Sequence, residues 1–390
     1  MDTEIAKPSS LAKEITMGQR SLLGALCIVL PALPVLAVSA GEKSSATITY
    51  IVDSVAGTGS RELGAFRGSA SDVNIGQPFG VEVGPDGALY ICEVENHRVL
   101  RLDREKKTVA TVAGSGARGY SGDGGPALEA KLNEPYEVRF DRQGNIYFVE
   151  MRNAVIRRVD GKTRVISTVA GTGEPGFSGD GGAATKARLR RPHSIALDGR
   201  GGLYIADIGN HRIRRVNLES GRIETVAGNG ERLAPADGKV ATGRPMLGPR
   251  ALFIVGDTMW IALREGHSVW RMDLGSRRLT HVAGSGRKGY RDGKGRDASF
   301  NGPKGIVALG EQAVFVVDTE NQAIRRVDPR NGEVTTVAGG GPRTRGFGGD
   351  GKAALRSSMD RPHGIAIDSR GVLYIGDTNN HRVRRLRRRD

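Results

Sequence analysis

Residues 362–386 read P-H-G-I-A-I-D-S-R-G-V-L-Y-I-G-D-T-N-N-H-R-V-R-R-L. This stretch contains three short runs rich in β-forming residues, at positions 364–367, 372–375 and 381–386. Turn-forming residues separate the runs, first at 368–371 and then at Asn379-Asn380. Short strands joined by such turns are typical of an antiparallel meander, and we label the three strands a, b and c.

The same unit recurs six times along the chain. A proline opens strand a in every copy, at Pro78, Pro135, Pro192, Pro249, Pro303 and Pro362. A fourth strand, d, is predicted from a run that ends in Val-Ala-Gly, with its valine at positions 55, 112, 169, 226, 282 and 337. The copies follow one another at steps of 54 to 59 residues. Four strands in each of six copies predict an all-β fold, a six-bladed β-propeller of four-stranded antiparallel blades.

The order of the repeats at the two ends of the chain predicts how the ring closes. One Val-Ala-Gly precedes the first proline unit, and none follows the last. Residues 47–57 should therefore supply strand d of the blade that begins at Pro362, which removes exposed sheet edges. The predicted blades lie near residues 77–116, 134–173, 191–230, 248–286, 302–341, and 361–390 together with 47–59. Residues 41–390 would then form one propeller domain.

Composition excludes several other classes of protein. The chain has 390 residues, 57 of them glycine, and glycine is costly inside helices, which disfavours a helical bundle. Only two cysteines are present, so no disulfide framework is expected. Cys92 is predicted to be a buried thiol at the end of strand b, because Ala206 and Ala262 fill the equivalent positions. No nucleophile elbow, H-E-x-x-H helix, P-loop or C-x-x-C pair supports a specific enzyme chemistry.

The N-terminal segment predicts export. Residues 22–40 are apolar and end in Val38-Ser39-Ala40, which fits a signal peptide over residues 1–40 with cleavage before Gly41. A membrane anchor is the alternative, but the run is short and contains Pro31 and Pro34. Translation could begin at Met1 or at Met17. We therefore expect a periplasmic or extracellular protein.

The repeated unit resembles the NHL repeat, whose pattern is P-x-G-I-A-x-D followed by G-x-L-Y-I-A-D-x-x-N-H-R-I-R-R. Residues 192–216 and 362–386 match it most closely, and the resemblance extends over roughly residues 47–390. It implies a six-bladed propeller of the secreted bacterial type, used mostly for binding. Related propellers that act as lyases hold a metal in the channel. The unit near Pro249 departs from the pattern, since Leu263 replaces the acidic residue of the other copies, which are Glu93, Glu150, Asp207, Asp318 and Asp377.

Several positions repeat in nearly every copy and are predicted to serve the scaffold. An aromatic residue in strand b should fill the core between blades, at Tyr90, Tyr147, Tyr204, Trp260, Phe315 and Tyr374. Eight residues after the acidic position stands an arginine that should form an ion pair or bind carbonyl groups, at Arg101, Arg158, Arg215, Arg271, Arg326 and Arg385. The Asn-His pairs between strands b and c are expected to form turns, in which asparagine takes the left-handed conformation and histidine binds neighbouring carbonyls.

Glycine-rich loops link strand d of one blade to strand a of the next, and each contains one aspartate. These aspartates are predicted to cap a short helical turn, and they are Asp123, Asp180, Asp237, Asp292 and Asp350. Calcium binding is the alternative, although one carboxylate per loop supplies few of the six or so oxygen ligands that calcium takes. In an up-and-down blade the d–a loops and the b–c turns lie at the same end. We therefore expect these loops and turns to form one face of the propeller, which we call the decorated face, and we expect the ligand or partner to bind there.

The residue after each strand-opening proline should approach the central channel. These six predicted ligand-binding residues are Phe79, Tyr136, His193, Arg250, Lys304 and His363. Two cations and two imidazoles favour a carboxylate or another anion, with affinity rising below about pH 6.5 as the histidines protonate. Two histidines are too few for a catalytic zinc site, so no metal is predicted, and His193 with His363 is the alternative Ca or Zn site. The other interpretation is that these six residues only line a water-filled channel and bind no ligand.

The predicted function is that of an exported binding scaffold for a protein or a small anionic ligand on the decorated face. The alternative is a lyase or lactone-type hydrolase at the channel mouth, with a divalent metal. The net charge of +15 suggests acidic envelope components as further partners, whereas nucleic acid is not expected for an exported protein. We expect a monomer.

Overall fold

The computed structural model describes residues 49–389, which form six antiparallel sheets. Strand a of each sheet contacts strand a of the next sheet, and this series of contacts returns from the sixth blade to the first. The sheets are therefore the six blades of a closed propeller around a central channel, as predicted. The predicted signal peptide and Cys27 lie outside the described residues.

Every blade has strands a to d in chain order, and blade 6 takes strand d from the N-terminal side of the propeller. Strands a are Pro78–Val83, Pro135–Phe140, Ser194–Leu197, Pro249–Val255, Pro303–Leu309 and Ile365–Ile367. Strands b are Leu89–Glu93, Ile146–Glu150, Gly202–Asp207, Thr258–Leu263, Ala313–Asp318 and Leu373–Asp377. Strands c are Arg98–Asp103, Val155–Val159, Arg212–Asn217, Ser268–Asp273, Ala323–Val327 and Arg382–Arg388. Strands d are Thr108–Ala113, Ile166–Ala170, Ile223–Ala227, Leu279–Ala283, Glu333–Ala338 and Tyr50–Ala56.

Short elements in the loops complete the fold. Two extra strands pair with strand d, Arg67–Ser69 in blade 1 and Gly293–Lys294 in blade 5. Single 3₁₀ turns occupy d–a loops and b–c turns, and they are Ala184–Lys186, Ile208–Asn210, Gly295–Asp297, Thr319–Asn321, Ala354–Arg356 and Thr378–Asn380. No helix within residues 49–389 is long and apolar enough to cross a membrane.

The ring is closed by the strand predicted from the repeat order. Tyr50–Ala56 pairs antiparallel with Arg382–Arg388, and Tyr50 and Val52 are buried in the core of blade 6. Blade 6 is joined in turn to blade 1, because the Thr378 hydroxyl donates a hydrogen bond of 2.7 Å to the Pro78 carbonyl. The chain termini of the propeller thus meet in one sheet, and the prediction of closure is confirmed.

The core between blades is filled as the repeats predict. All six strand b aromatics are buried, and the phenol of Tyr90 reaches out to donate a hydrogen bond to Asp86. Cys92 is a free, fully buried thiol whose pKa is raised well above its ordinary value, first by burial. The predicted core position of Cys92 is therefore confirmed.

A buried arginine in strand c links each of four blades to its preceding loop. Arg157 is fully buried, and its guanidinium lies 2.6 Å from Glu150 of strand b and 2.7 Å from Asp123 of the d–a loop. The equivalent arginines Arg214, Arg325 and Arg384 bind the loop aspartates Asp180, Asp292 and Asp350 in the same way. A loop aromatic ring covers each guanidinium, at Tyr120, Phe177, Tyr290 and Phe347. We call this arrangement the arginine clamp.

The clamp corrects the predicted role of the loop aspartates. The 3₁₀ turns that follow them, such as Ala184–Lys186 and Ala354–Arg356, have no side-chain cap. The carboxylates instead bind an arginine that stands seven residues, not eight, after the acidic position of strand b. Blade 4 has no arginine clamp, because Leu263 replaces the acid of strand b and Trp270 replaces the arginine of strand c. Its loop aspartate, Asp237, instead accepts a hydrogen bond from the backbone N–H of His281.

The arginines eight residues after the acidic position of strand b lie nearer the solvent, so their ion pairs contribute less to stability than those of the buried clamp arginines. Arg101, Arg158 and Arg385 bind Asp86, Asp160 and Asp53 at 2.7 to 2.9 Å, and Arg326 donates to the Gln312 carbonyl. The predicted ion-pair or carbonyl-binding role is therefore correct for these four and for Arg215, which lies 3.6 Å from Glu224. The sequence assigned it to only one arginine of each doublet, whereas the buried clamp is formed by the other.

The b–c turns stabilise the decorated face through hydrogen bonds to the next blade and to the d–a loop. In these turns the histidine and the asparagine have the opposite roles to those predicted from the sequence. His97, His211 and His381 have φ values of 51 to 52°, so the histidine, not the asparagine, takes the left-handed conformation. Their Nδ1 atoms accept a backbone N–H from the next blade at 3.1 to 3.2 Å, rather than binding a carbonyl. Asn210 donates both to Asp207 and to the Gly176 carbonyl of the d–a loop. The d–a loops and b–c turns therefore share one end of the propeller, as predicted.

Replacing Arg157 with methionine should destabilise the fold by about 3–5 kcal/mol, because it leaves the buried Glu150 without its counter-ion. Burial already raises the pKa of Glu150 to about 7 despite the opposing effect of Arg157. Arg158→Met is the matched control, since its side chain is partly exposed, and it should cost less than about 1 kcal/mol. Urea unfolding measures both; equal losses of unfolding free energy would contradict a structural role specific to the clamp.

Candidate ligand site at the channel mouth

The structure brings all six predicted site residues together around one cavity of about 270 Å³. The cavity lies on the decorated face, because its wall also contains residues from b–c turns and from the loops before strand a. These further lining residues are Gln77, Arg191, Arg264, Arg361, Thr378 and Asn379. A local turn sets the entry of each strand, since Arg191 and Arg361, immediately before the prolines, have φ values of 50° and 48°. The sequence thus predicts the inner ring, which is the six residues that follow the prolines, but not these further residues, which form the rim of the cavity.

Four of the six residues form a contiguous arc of rings. The ring of Phe79 stacks on His363 with centroids 4.0 Å apart and lies 4.5 Å from the ring of Tyr136. Tyr136 in turn meets His193 edge to face at 4.9 Å. The two histidines therefore stand at opposite ends of the arc, and the cations of blades 4 and 5 complete the ring between them.

Arg250 is buried without a carboxylate partner. Only 3% of its surface is exposed, and its guanidinium makes no ion pair or hydrogen bond with any residue in the described part of the chain. Its one close aromatic contact is the ring of Tyr136, whose centroid lies 5.6 Å from the guanidinium carbon. Burial lowers the pKa of Arg250 to about 10. This side chain is thus a charged hydrogen-bond donor that faces the cavity with its bonding capacity unused.

Lys304 is the second cation of the ring and has a partner. It is 5% exposed, and its Nζ lies 2.9 Å from the Glu320 carboxylate and 3.3 Å from Nε2 of His363. Burial lowers the pKa of Lys304 to about 8, although Glu320 acts in the opposite direction. Glu320 also binds Arg361 at 2.9 Å. Glu320 could not be predicted from the repeats, because it belongs to a b–c turn in which this position varies among the blades.

Both histidines are held as neutral rings. Nδ1 of His193 lies 2.6 Å from the Arg191 carbonyl, and Nδ1 of His363 lies 2.8 Å from the Arg361 carbonyl. A carbonyl accepts only, so Nδ1 carries the proton in each ring, and Nε2 of His363 can accept from Lys304. Burial, followed by the nearby cations, lowers the pKa of both histidines well below the ordinary value. The predicted gain in anion affinity just below pH 6.5 is therefore not expected.

The charges of the site favour an anion. Arg250 and Lys304 face the cavity, and three more arginines lie on its rim. Against these five cations, the acid that contacts the lining groups most directly is Glu320. A fixed guanidinium and an ammonium in a sheltered cavity suit the two oxygens of a carboxylate or the several oxygens of a phosphate. Within residues 49–389 no group of three or more His, Cys, Asp or Glu side chains is arranged to hold a metal ion.

Comparison with known proteins agrees with the repeat pattern. The NHL repeat model matches residues 189–216 and 359–386, and the Teneurin NHL domain model matches residues 86–178. The chain is an NHL-repeat propeller. The NHL repeat model thus matches the same two units, in blades 3 and 6, whose residues follow the repeat pattern most closely.

Relatives of this NHL-repeat propeller are longer proteins. It is 28% identical to SUPPRESSOR OF QUENCHING 1 of Arabidopsis thaliana over 71% of this chain, and 25% identical to NHL repeat-containing protein 2 of Bos taurus over 82%. The matched regions span only 27% and 40% of those proteins. A solved structure described as an auxiliary nutrient binding protein of Bacteroides thetaiotaomicron is 18% identical, with a TM-score of 0.64, and the match covers 88% of this chain and 78% of that one. At that identity the likeness shows the fold.

Anion affinity at the mouth should fall as pH rises through about 8. Lys304 is charged below that value and neutral above it, and a bound anion would move the midpoint somewhat higher. We expect the Kd for acetate to rise at least about tenfold between pH 7 and pH 9.5, because a hydrogen bond to a charged group contributes about 1.5–3 kcal/mol. Lys304→Gln should bind acetate weakly with no such dependence. Calorimetry checks this; a flat wild-type profile would remove Lys304 from the site.

Proposed function

We propose that this NHL-repeat propeller is a binding protein that takes a small anion, a carboxylate or a phosphate, at the mouth of its channel. The observation that carries the proposal is Arg250, a buried guanidinium that lines the cavity and forms no ion pair within the described residues. The anion would lie against Arg250 and Lys304 in the cavity that Phe79 and Tyr136 also line.

A structural role does not account for Arg250. Other fully buried arginines of the propeller, such as Arg157 and Arg384, bind two carboxylates each. Burying an unpaired charge is costly, and folds that contain one usually pair it or neutralise it. An arginine left unpaired in a cavity is best explained by a partner that arrives from solution.

Two further features support a binding role. The cavity residues come from all six blades, so the site exists only in the closed ring, which is typical of ligand sites at the centre of a rigid scaffold. The name of the Bacteroides structure with this fold, auxiliary nutrient binding protein, describes a binding role as well. With the predicted leader, this suggests that the ligand is met outside the cytoplasm.

Calorimetric titration tests the proposal against the metal-dependent alternative. Wild-type protein at pH 7 is titrated with sodium orthophosphate or sodium acetate, and in separate runs with zinc chloride or calcium chloride. We expect one anion site per chain, and anion binding that is unaffected by a chelator. Stoichiometric zinc binding that disappears in the His193→Ala/His363→Ala variant, without anion binding, would contradict the proposal and favour a lyase or hydrolase.

A further inference from the structure

A second cavity adjoins the channel mouth on the side of blades 3 and 4. Its volume is about 190 Å³, and three of its lining residues, Arg191, His193 and Arg264, also line the mouth. The shared residues make the two cavities neighbours on the decorated face. Arg190 and Arg232 belong to the second cavity alone. A ligand seated at the mouth could therefore extend past His193 into this space.

The second cavity is strongly cationic and poorly compensated. It is lined by four arginines and one acid, Glu265. Glu265 lies 3.6 Å from Arg264, which is longer than a hydrogen bond, and one of its carboxylate oxygens is buried without a partner. No carboxylate among the described residues lies within ion-pair distance of Arg190, Arg191 or Arg232.

The uncompensated charge is distributed unevenly around the mouth. On the side of blades 5 and 6, Glu320 forms ion pairs of 2.9 Å with both Lys304 and Arg361, and so compensates one of their two charges. On the side of blades 3 and 4, Arg250 and Arg191 form no ion pair among the described residues, and Arg190 and Arg232 continue this series into the second cavity. The electrostatic potential therefore favours an anion that begins at Arg250 and extends towards Arg232.

We propose, resting on the function proposed above, that the ligand is a small dianion with its two charged groups at opposite ends. One group binds Arg250 and Lys304 at the mouth, and the other binds Arg190 and Arg232 in the adjoining cavity. A linear dicarboxylate is the simplest ligand of this class. His193, which lines both cavities, contacts the neutral middle of the molecule through its uncharged ring.

The test compares linear dicarboxylates from succinate to pimelate with monocarboxylates of the same chain length, by calorimetry at pH 7. The series of lengths is used so that one member matches the separation of the two cavities. At the best length we expect the dicarboxylate to bind at least about tenfold more tightly than its monocarboxylate, since one further charged contact is worth about 1.4 kcal/mol or more.

Two double variants locate the second group. In Arg190→Gln/Arg232→Gln the preference for the dicarboxylate should fall below about twofold, while monocarboxylate affinity changes less than about threefold. The control Arg222→Gln/Arg356→Gln removes the same charge from two arginines that are exposed like Arg190 and Arg232 but line neither cavity, and it should keep the preference.

Three results would overturn the inference. The wild type could bind dicarboxylates and monocarboxylates equally tightly at every length, while Arg250→Met still loses monocarboxylate binding. That result would refute a second charged group on the ligand and leave the proposed function standing. A preference kept in Arg190→Gln/Arg232→Gln, or lost equally in the control, would show that the adjoining cavity does not hold it. Failure of both ligand series to bind would refute the proposed function itself, and the inference with it.

Discussion

Arg250→Met is expected to abolish anion binding at the channel mouth while leaving the melting temperature unchanged or slightly higher. Removing one partner of a buried charged contact costs about 2–5 kcal/mol of binding, so the Kd for orthophosphate should rise by at least about 30-fold. The free protein should lose no stability, because the guanidinium has no ion pair to lose and methionine suits a buried position. Calorimetry and a thermal melt measure the two effects on the same preparation.

Arg271→Met is the matched control for Arg250→Met. Arg271 belongs to the same blade and carries the same charge, but it is exposed and does not line the mouth. It should bind orthophosphate as the wild type does. If Arg250→Met melts several degrees lower, or binds orthophosphate as before, Arg250 is a structural residue and the proposed site is wrong.

A chain that lacks residues 41–57 should fail to fold cooperatively. The deletion removes Tyr50–Ala56, which is strand d of blade 6, and with it the buried side chains of Tyr50, Val52 and Ala56. Blade 6 would be left with three strands and an unpaired edge at Arg382–Arg388, and the ring would have no closing sheet.

The control for this deletion begins at residue 47 and keeps the closing strand. It should melt in one transition at the temperature of the chain that begins at residue 41. Circular dichroism and calorimetric melts compare the three chains. If the chain without residues 41–57 melts in one cooperative transition at the same temperature, closure by the N-terminal strand does not hold the propeller together.

The fold and the inner ring of the site were predictable because both repeat. Six copies of one unit fix the number of blades, and the missing Val-Ala-Gly after Pro362 fixes the closure. The residue after each proline lines the channel because strand a is the innermost strand of every blade. Phe79 and His363 occupy the same position of the repeat, and their rings stack at 4.0 Å although they are 284 positions apart in the chain.

The features that sequence reasoning missed depend on contacts between copies. The arginine clamp joins strand c to a loop 34 residues earlier, as in Arg157 with Asp123, and the doublet Arg157-Arg158 does not tell which arginine is buried. Glu320 reaches Lys304 from a turn whose residues vary among the blades. The low pKa of His193 and His363 arises from burial and from cations of other blades, which composition does not reveal.

The most direct test of the channel-mouth site is anomalous diffraction from a crystal soaked in selenate, which places the selenium atom of a bound tetrahedral anion. The structure predicts one strong peak in the mouth, with selenate oxygens within hydrogen-bond distance of the Arg250 guanidinium and of Nζ of Lys304. Peaks confined to exposed arginines elsewhere on the surface, with the mouth left to water or to a metal between His193 and His363, would contradict the proposed function.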